Sequence, residues 1–356
     1  YSNRVVSNFL EKSAENGIEI FRTFDALNDF ENIDFTIREV KRIGRHAQGT
    51  IAYTTSPVHD LNTWLDLAKK IEDAGADSLA IKDMAGLLRP FDAYKLVKNL
   101  KSTLSIPIHM QTHATTGMST ATNMKAIEAG IDNIDTSISS LSMTYGHTAT
   151  ETMLAIFENQ EREIDLNLSA LEEVSRFFKE IRDKYSEFEG NLKGVDSSML
   201  VKQVPGGMLS NLESQLRANK QEDKIDLVKD EIPKVRKDFG YPPLVTPASQ
   251  IVGAQALLNV MNNRRYENLS NESLNLILGK YGKLPGEIEP DLLKRAESIG
   301  VDGDSYDENE LDIMAIELKD LCSSNGLPDL SEKIEMLLTY IMFPNIALPF
   351  FKELDI

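Results

Sequence analysis

Apolar and polar positions in the first 140 residues alternate between two periods. Val5, Val6, Phe9 and Leu10 fall at helical spacing and lead into Asn16-Gly17, a pair suited to the left-handed turn that closes a helix. Ile18-Glu19-Ile20-Phe21-Arg22-Thr23-Phe24-Asp25 then alternates as a strand does, with Asp25 and Asn28 where the strand ends. The cycle returns four times. Helices are predicted near 30–43, 61–74, 91–100 and 121–129, and strands at 47–55, from 78 into Lys82, from 106 into His113, and at 133–138. Five strand–helix units with short connections specify an α/β chain with a parallel sheet, either an open doubly wound sheet or part of an eightfold barrel. No Gly-x-Gly-x-x-Gly follows any of these strands, which weighs against the nucleotide-binding version.

Beyond Asp165 the period-2 signal is lost. Residues 166–185 read as one long charged amphipathic helix, and from Ser210 onward helix follows helix, broken at Pro233, Pro242-Pro243, Pro247, Gly279, Pro285-Gly286 and Pro328. The chain therefore divides into an α/β part, 1–165, and an all-α part, 166–356. The stretch Ile341–Phe351, interrupted by Pro344 and Pro349, reads as a packed C-terminal segment rather than a membrane span, which needs roughly 18 apolar residues.

A formal charge of -18 disfavours nucleic acid and anionic membrane as partners, because both would repel the chain. The acidic residues are scattered, so they serve solubility. One cysteine, Cys322, excludes an internal disulfide and is consistent with a reducing, cytoplasmic setting.

Polar residues stand where apolar strands end, and in parallel α/β folds functional groups gather at those ends. Lys82 leaves one strand beside Asp83, which is placed to pair with it. A lysine there is commonly a solvated surface residue; held in a barrel mouth, it loses water, its pKa falls, and it becomes nucleophilic or open to modification. His109, Gln111 and His113 alternate and so share one face of the next strand, a pattern that fits a metal or proton-transfer site; for His109 a backbone-satisfied core position fits equally well. Tyr145-Gly146-His147 can add a further mouth residue, whereas His46 and His59 read as background. Farther on, Val204-Pro205-Gly206-Gly207 is a glycine turn before Ser210, which suits either an N-cap or a hydroxyl delivered to a ligand.

Taken together, these stretches resemble the carboxyltransferase family of biotin-dependent enzymes, of the type found in the oxaloacetate decarboxylase alpha subunit and in the carboxyltransferase domain of pyruvate carboxylase. The resemblance runs through nearly the whole chain. It rests on Phe21-Arg22-Thr23-Phe24-Asp25-Ala26-Leu27-Asn28, Tyr53-Thr54-Thr55-Ser56-Pro57, Ile81-Lys82-Asp83-Met84-Ala85-Gly86-Leu87-Leu88, His113-Ala114-Thr115-Thr116-Gly117, Tyr145-Gly146-His147, Val204-Pro205-Gly206-Gly207 and Val245-Thr246-Pro247-Ala248-Ser249-Gln250-Ile251-Val252-Gly253.

The resemblance implies a (β/α)₈ barrel of the TIM type followed by an all-α funnel domain. It further implies a divalent, zinc-like metal at the barrel mouth, held by a carbamylated lysine, two histidines spaced His-x-His and an aspartate. Lys82 matches the lysine and His113 the second histidine, while Gln111 stands at the first. The aspartate, with the family's pyruvate-contacting arginine and glutamine, belongs to about three strand–helix units upstream of Tyr1. Five strands cannot close an eight-stranded barrel, so the expectation is a fragment of a longer subunit or a relative completed by another segment. Ser210 stands where the family has a threonine that moves a proton between biotin and the pyruvate enol. No Met-Lys-Met occurs, since Met124-Lys125-Ala126 is no substitute, so biotin must come on a separate carrier domain or subunit. The implied partners are that carrier, pyruvate or oxaloacetate, a second copy of the chain in a homodimer, and membrane subunits if the enzyme is of the sodium-pumping decarboxylase kind. A second reading takes Gln111 and the absent upstream ligands as signs of a catalytically degenerate relative that persists as an assembly component.

Overall fold

Strand-forming stretches that recur every 25 to 32 residues, with a helix in each gap, pair most simply with their nearest neighbours in sequence. That is the arrangement in the computed structural model, which describes residues 1–161, 164–189, 192–197, 199–202, 206–218, 220–300 and 308–354. Helix α1 (Asn3–Glu15) precedes β1 (Ile20–Thr23), α2 (Phe30–Arg42), β2 (His46–Ala52), α3 (Leu61–Asp73), β3 (Ser78–Asp83), α4 (Pro90–Thr103), β4 (Ile108–Thr112), α5 (Ser119–Glu128) and β5 (Asn133–Ile134). The sheet order is β1-β2-β3-β4-β5, so spatial order follows chain order. All five expected strands form, although β5 keeps two residues.

The parallel register fixes which side chains share a face. Thr50, Ala80 and His109 lie side by side, and one step along, Ala52, Lys82 and Gln111 do the same. The opposite face carries Ile51, Leu79, Ile81, Ile108 and Met110, all fully buried. Each such side chain contributes about 2 kcal/mol on leaving water, so a one-residue slip that exchanged the faces is strongly disfavoured.

Within the compact unit formed by 22–34 and 48–301, the sheet is followed by helices only, among the described residues. These are α6 (Thr150–Phe157), α7 (Leu168–Lys184), α8 (Met199–Lys202), α9 (Gly206–Ala218), α10 (Ile225–Asp238), α11 (Ala248–Met261), α12 (Asn271–Ile277) and α13 (Pro290–Ile299). Val228, Ile232, Val235 and Phe239 pack with Ile251, Val252 and Ala256 in one apolar cluster. Pro233, expected to break a helix, lies inside α10. Its ring removes one backbone bond, but three fully buried neighbours on α10, Val228, Ile232 and Val235, hold the helix together. Arg236 on the same helix ties this layer to the end of β2: its guanidinium donates to Thr54 Oγ1 at 2.8 Å, to the Thr55 carbonyl at 3.2 Å and to the Pro242 carbonyl at 2.9 Å.

The second unit comprises 1–21, 35–47 and 302–356. Val5 of α1 packs with Leu318 and Cys322 of α14 (Glu310–Ser324), Leu337 and Leu338 of α15 (Ile334–Met342), and Ala347 and Phe351 of α16 (Pro344–Glu353). The C-terminal stretch is thus a packed helix that starts at Pro344, and Pro349 is accommodated within it. Among the described residues no helix is long and apolar enough to cross a membrane.

One buried residue opposes the fold. Asn123 on α5 is 0% exposed, and neither its amide nitrogen nor its amide oxygen has a hydrogen-bond partner among the described residues. Replacing such a group by an apolar one of the same shape removes a desolvation penalty of about 1–3 kcal/mol. Asn123→Leu is therefore expected to raise the denaturation midpoint in urea without changing the slope of the transition; a lowered midpoint would refute this.

Candidate active site at the ends of β3 and β4

Lys82 is the last inward-facing residue of β3. It is half-buried, and its ammonium lies over the ring of Phe24, 5.2 Å from the centroid. Among the described residues no carboxylate lies within ion-pair distance of it. Burial, and next the charge of Arg22, lower its pKa, which enlarges the fraction of free amine.

Asp83, expected beside it as a partner, faces the other way because successive strand residues alternate. It is 0% exposed and accepts from the amides of Leu87 at 2.8 Å and Leu88 at 3.0 Å and from the Thr112 hydroxyl at 2.8 Å. Burial pushes its carboxyl up to about 6 against these bonds. Its own carbonyl accepts the His113 amide at 3.1 Å. Asp83 therefore shapes the loop after β3 and fastens it to the loop after β4.

The two loops meet closely at Gly86. A Cβ there would stand 2.6 Å from the His113 carbonyl oxygen, and φ is +64°, so only glycine fits. Thr116 Oγ1 donates to the Gly86 carbonyl at 2.6 Å, and the Ala114 amide donates to the Gly146 carbonyl at 2.8 Å, which brings in the Tyr145-Gly146-His147 loop. Met199 of α8, fully buried, packs on Ala85 and Leu87, and the Asp196 amide donates to the Thr115 carbonyl at 2.8 Å. The segment entering the helical layer thus rests on both loops.

At this mouth His113 donates from Nδ1 to the Tyr145 carbonyl at 2.6 Å, which leaves the Nε2 lone pair directed inward. Gln111 Nε2 lies 2.9 Å from His113 Nε2. Burial, chiefly, pushes His113 down to about 4, so the ring is neutral near pH 7. The His147 ring packs against it with centroids 4.7 Å apart and is turned by an Nδ1 contact of 3.0 Å to the Thr112 carbonyl. Gln111, level with Lys82 on β4, and His113, just past the strand's end, are thus brought together.

His109 joins a different group one layer down. Its Nε2 donates to Asp135 at 2.5 Å, Asp135 also pairs with Arg22 of β1 at 2.6 Å, and Arg22 Nε donates to Gln48 of β2 at 2.5 Å. Burial works to raise the Asp135 pKa, but the bonds from His109 and Arg22 hold it well below the usual carboxylate range. Sequence reasoning does not single out Arg22, Gln48 or Asp135. The signal for Arg22 and Gln48 is a long polar side chain inside a strand, and for Asp135 a carboxylate directly after one. Asp25 and Asn28 are structural: Asp25 accepts the Leu27 and Asp29 amides at 2.8 and 2.9 Å, and Asn28 bonds the backbone of Ala52 in both directions. Ser210 lies on α9, and its side chain is outside the described residues, as are 203–205 of the glycine turn.

The donor chemistry fits a divalent metal in part. Gln111 Oε1 is buried without a partner among the described residues, His113 has its tautomer fixed through Tyr145 as a ligating imidazole requires, and Lys82 can supply oxygen once carbamylated. Among the described residues no three His, Cys, Asp or Glu side chains converge.

A parallel barrel-type sheet with a lysine, an amide and an imidazole at its strand ends, joined to a helical layer, matches two family descriptions in succession. Residues 19–178 match "HMGL-like" and residues 199–355 match "Conserved carboxylase domain". Among curated proteins the chain is 43% identical over 360 residues to a pyruvate carboxylase subunit of Methanocaldococcus jannaschii, covering 99% of this chain and 62% of that protein. It is also 43% identical over 359 residues to the methylmalonyl-CoA carboxyltransferase 5S subunit of Propionibacterium freudenreichii, covering 99% of this chain and 70% of that one. Among solved structures, the carboxyl transferase domain of Rhizobium etli pyruvate carboxylase with pyruvate and biocytin superimposes with a TM-score of 0.90 at 28% identity, over 98% of this chain and 61% of that one. The chain belongs to the carboxyltransferase family of biotin-dependent enzymes. It spans 62% of the length of its archaeal relative.

Proposed function

We propose that this chain is the carboxyltransferase portion of a pyruvate carboxylase or oxaloacetate decarboxylase. It would move a carboxyl group between oxaloacetate or pyruvate and a ureido nitrogen of biotin on a separate carrier. The observation that carries the reading is the meeting of Lys82, Gln111 and His113 at adjacent strand ends in a chain matched to the family from end to end. In this reading residues 1–165 supply the barrel part and 166–356 the funnel, and the assembly is a homodimer served by its biotin carrier.

Lys82, Gln111 and His113 would hold a divalent ion, which when bound supplies Lewis acidity toward the keto oxygen. The lowered pKa of Lys82 supports its modification: the free amine adds to CO₂, a nitrogen–carbon bond forms, and one proton leaves to solvent. The Phe24 ring covers one side of that nitrogen. Tyr145 fixes the His113 ring with its Nε2 lone pair toward Gln111, and the Ser210 hydroxyl would carry the proton between biotin and the enol.

The test is pyruvate release from oxaloacetate by the complete protein, with and without free biotin. Release that rises with biotin concentration is expected. Release indifferent to biotin would remove the carboxyltransferase reading and leave the non-catalytic assembly role.

A further inference from the structure

A cavity of about 490 Å³ opens in the larger unit between the turn after β1, the turn after β2, helix α3 and residues 283–285. Its size is that of a small-molecule site, and none of its lining residues belongs to the group at Lys82, Gln111 and His113. Leu27 and Leu67, both buried, give it an apolar wall with Leu284 and Pro285. His59 supplies a fixed donor. Ser56 Oγ accepts the Val58 amide at 3.2 Å, and its hydroxyl, with no other acceptor among the described residues, donates to His59 Nδ1 at 2.7 Å. The ring proton is thereby placed on Nε2, and that N–H meets no acceptor among the described residues. The ring lies on Trp64, with centroids 5.0 Å apart and planes 12° from parallel, so the donor is held in place.

Charges of both signs line the same cavity without pairing. Among the described residues neither Lys70 nor Lys283 has a carboxylate within ion-pair distance, and neither Glu31 nor Asp66 has a cation. Asp66 and Lys70 stand one helical turn apart in the order that favours a salt bridge, yet the Lys70 ammonium lies over the Phe30 ring, 5.9 Å from its centroid. Asp29, the remaining carboxylate, is engaged by the amides of Glu31 at 3.1 Å and Lys283 at 2.7 Å. A purely anionic ligand would face the acids and a purely cationic one the lysines. A ligand that carries both charges satisfies both.

We propose that this cavity binds a free amino acid with a bulky apolar side chain. Its carboxylate would meet His59 Nε2 and Lys283, its ammonium Glu31 and Asp66, and its side chain the wall at Leu27 and Leu67. The site is separate from the carboxyl-transfer chemistry proposed above and does not depend on it.

Isothermal titration calorimetry of the complete protein would compare L-phenylalanine with 3-phenylpropanoate and 2-phenylethylamine, which lack its ammonium and its carboxylate respectively. L-Phenylalanine is expected to bind saturably and each analogue roughly tenfold more weakly or worse. Lys283→Ala, and Glu31→Gln combined with Asp66→Asn, change exposed side chains and should weaken L-phenylalanine roughly tenfold each, with Tm unchanged. Lys82→Ala should bind it as the wild type does, even where carboxyl transfer is lost. Either analogue binding as tightly as L-phenylalanine would overturn the proposal, as would the absence of saturable binding or an affinity untouched by the cavity substitutions. Binding lost in Lys82→Ala would move the ligand to the strand ends and overturn it too.

Discussion

Lys82→Ala is expected to abolish retention of the divalent ion proposed for this site and to lower biotin-dependent turnover roughly a thousandfold, the several kcal/mol that Lewis-acid stabilisation of a developing enolate would supply. The argument is local. Lys82 is half-buried and, among the described residues, has an aromatic face and no carboxylate within ion-pair distance, so its removal leaves no uncompensated charge. Stability should therefore change little while the function is lost. Elemental analysis of the purified variant, paired with its thermal denaturation, makes the distinction. Metal content equal to wild type would show that the lysine is not a ligand, and a collapsed Tm would show that its role is structural.

Asp83→Ala should act in the opposite way, costing about 3 kcal/mol or more of stability before any chemistry is considered. Three buried donors, the amides of Leu87 and Leu88 and the Thr112 hydroxyl, lose their acceptor at about 1 kcal/mol or more each. The pH dependence has a defined sign. The carboxyl is held up to about 6 in the folded protein against about 3.9 unfolded, so the folded state binds its proton more tightly. The stability from this shift is complete below about pH 4 and is lost as pH rises through 6. The difference between wild type and Asp83→Ala in chemical denaturation should therefore shrink from pH 4 to pH 7. A difference that grows over that range would contradict the assignment.

These two neighbours show what the sequence could and could not disclose. Strand periodicity located β1 to β5, and with it the strand ends where Lys82 and His113 stand, because an alternating or apolar run bounded by turn residues has few other solutions. Parity along the Ile108–His113 stretch placed Gln111 and His113 together, although β4 ends at Thr112. What it could not supply was depth along that face: His109 has the same parity, yet lies a layer below and bonds Asp135, a partner 26 residues away. The Lys82–Asp83 adjacency misleads for the same geometric reason, since neighbours in a strand point apart. Pro233 reads as a helix break because the buried apolar contacts that hold α10 are tertiary and leave only a helical spacing in the sequence. Arg22 and Asp135 give no local sign of each other because their pairing spans 113 positions.

That span bears on how the molecule assembles itself. Closing a loop of 113 residues directly costs about 4 kcal/mol of chain entropy, more than a partly exposed ion pair returns. Neighbouring strands close much shorter loops, as Gln48 and Ser78 do across 30 residues. The Arg22–Asp135 contact therefore belongs late in folding, after β2, β3 and β4 have aligned and shortened the effective path between its ends. The polar layer beneath the mouth thus acts as a latch on a nearly finished sheet, closing after β3 and β4 have brought Lys82 and Gln111 level.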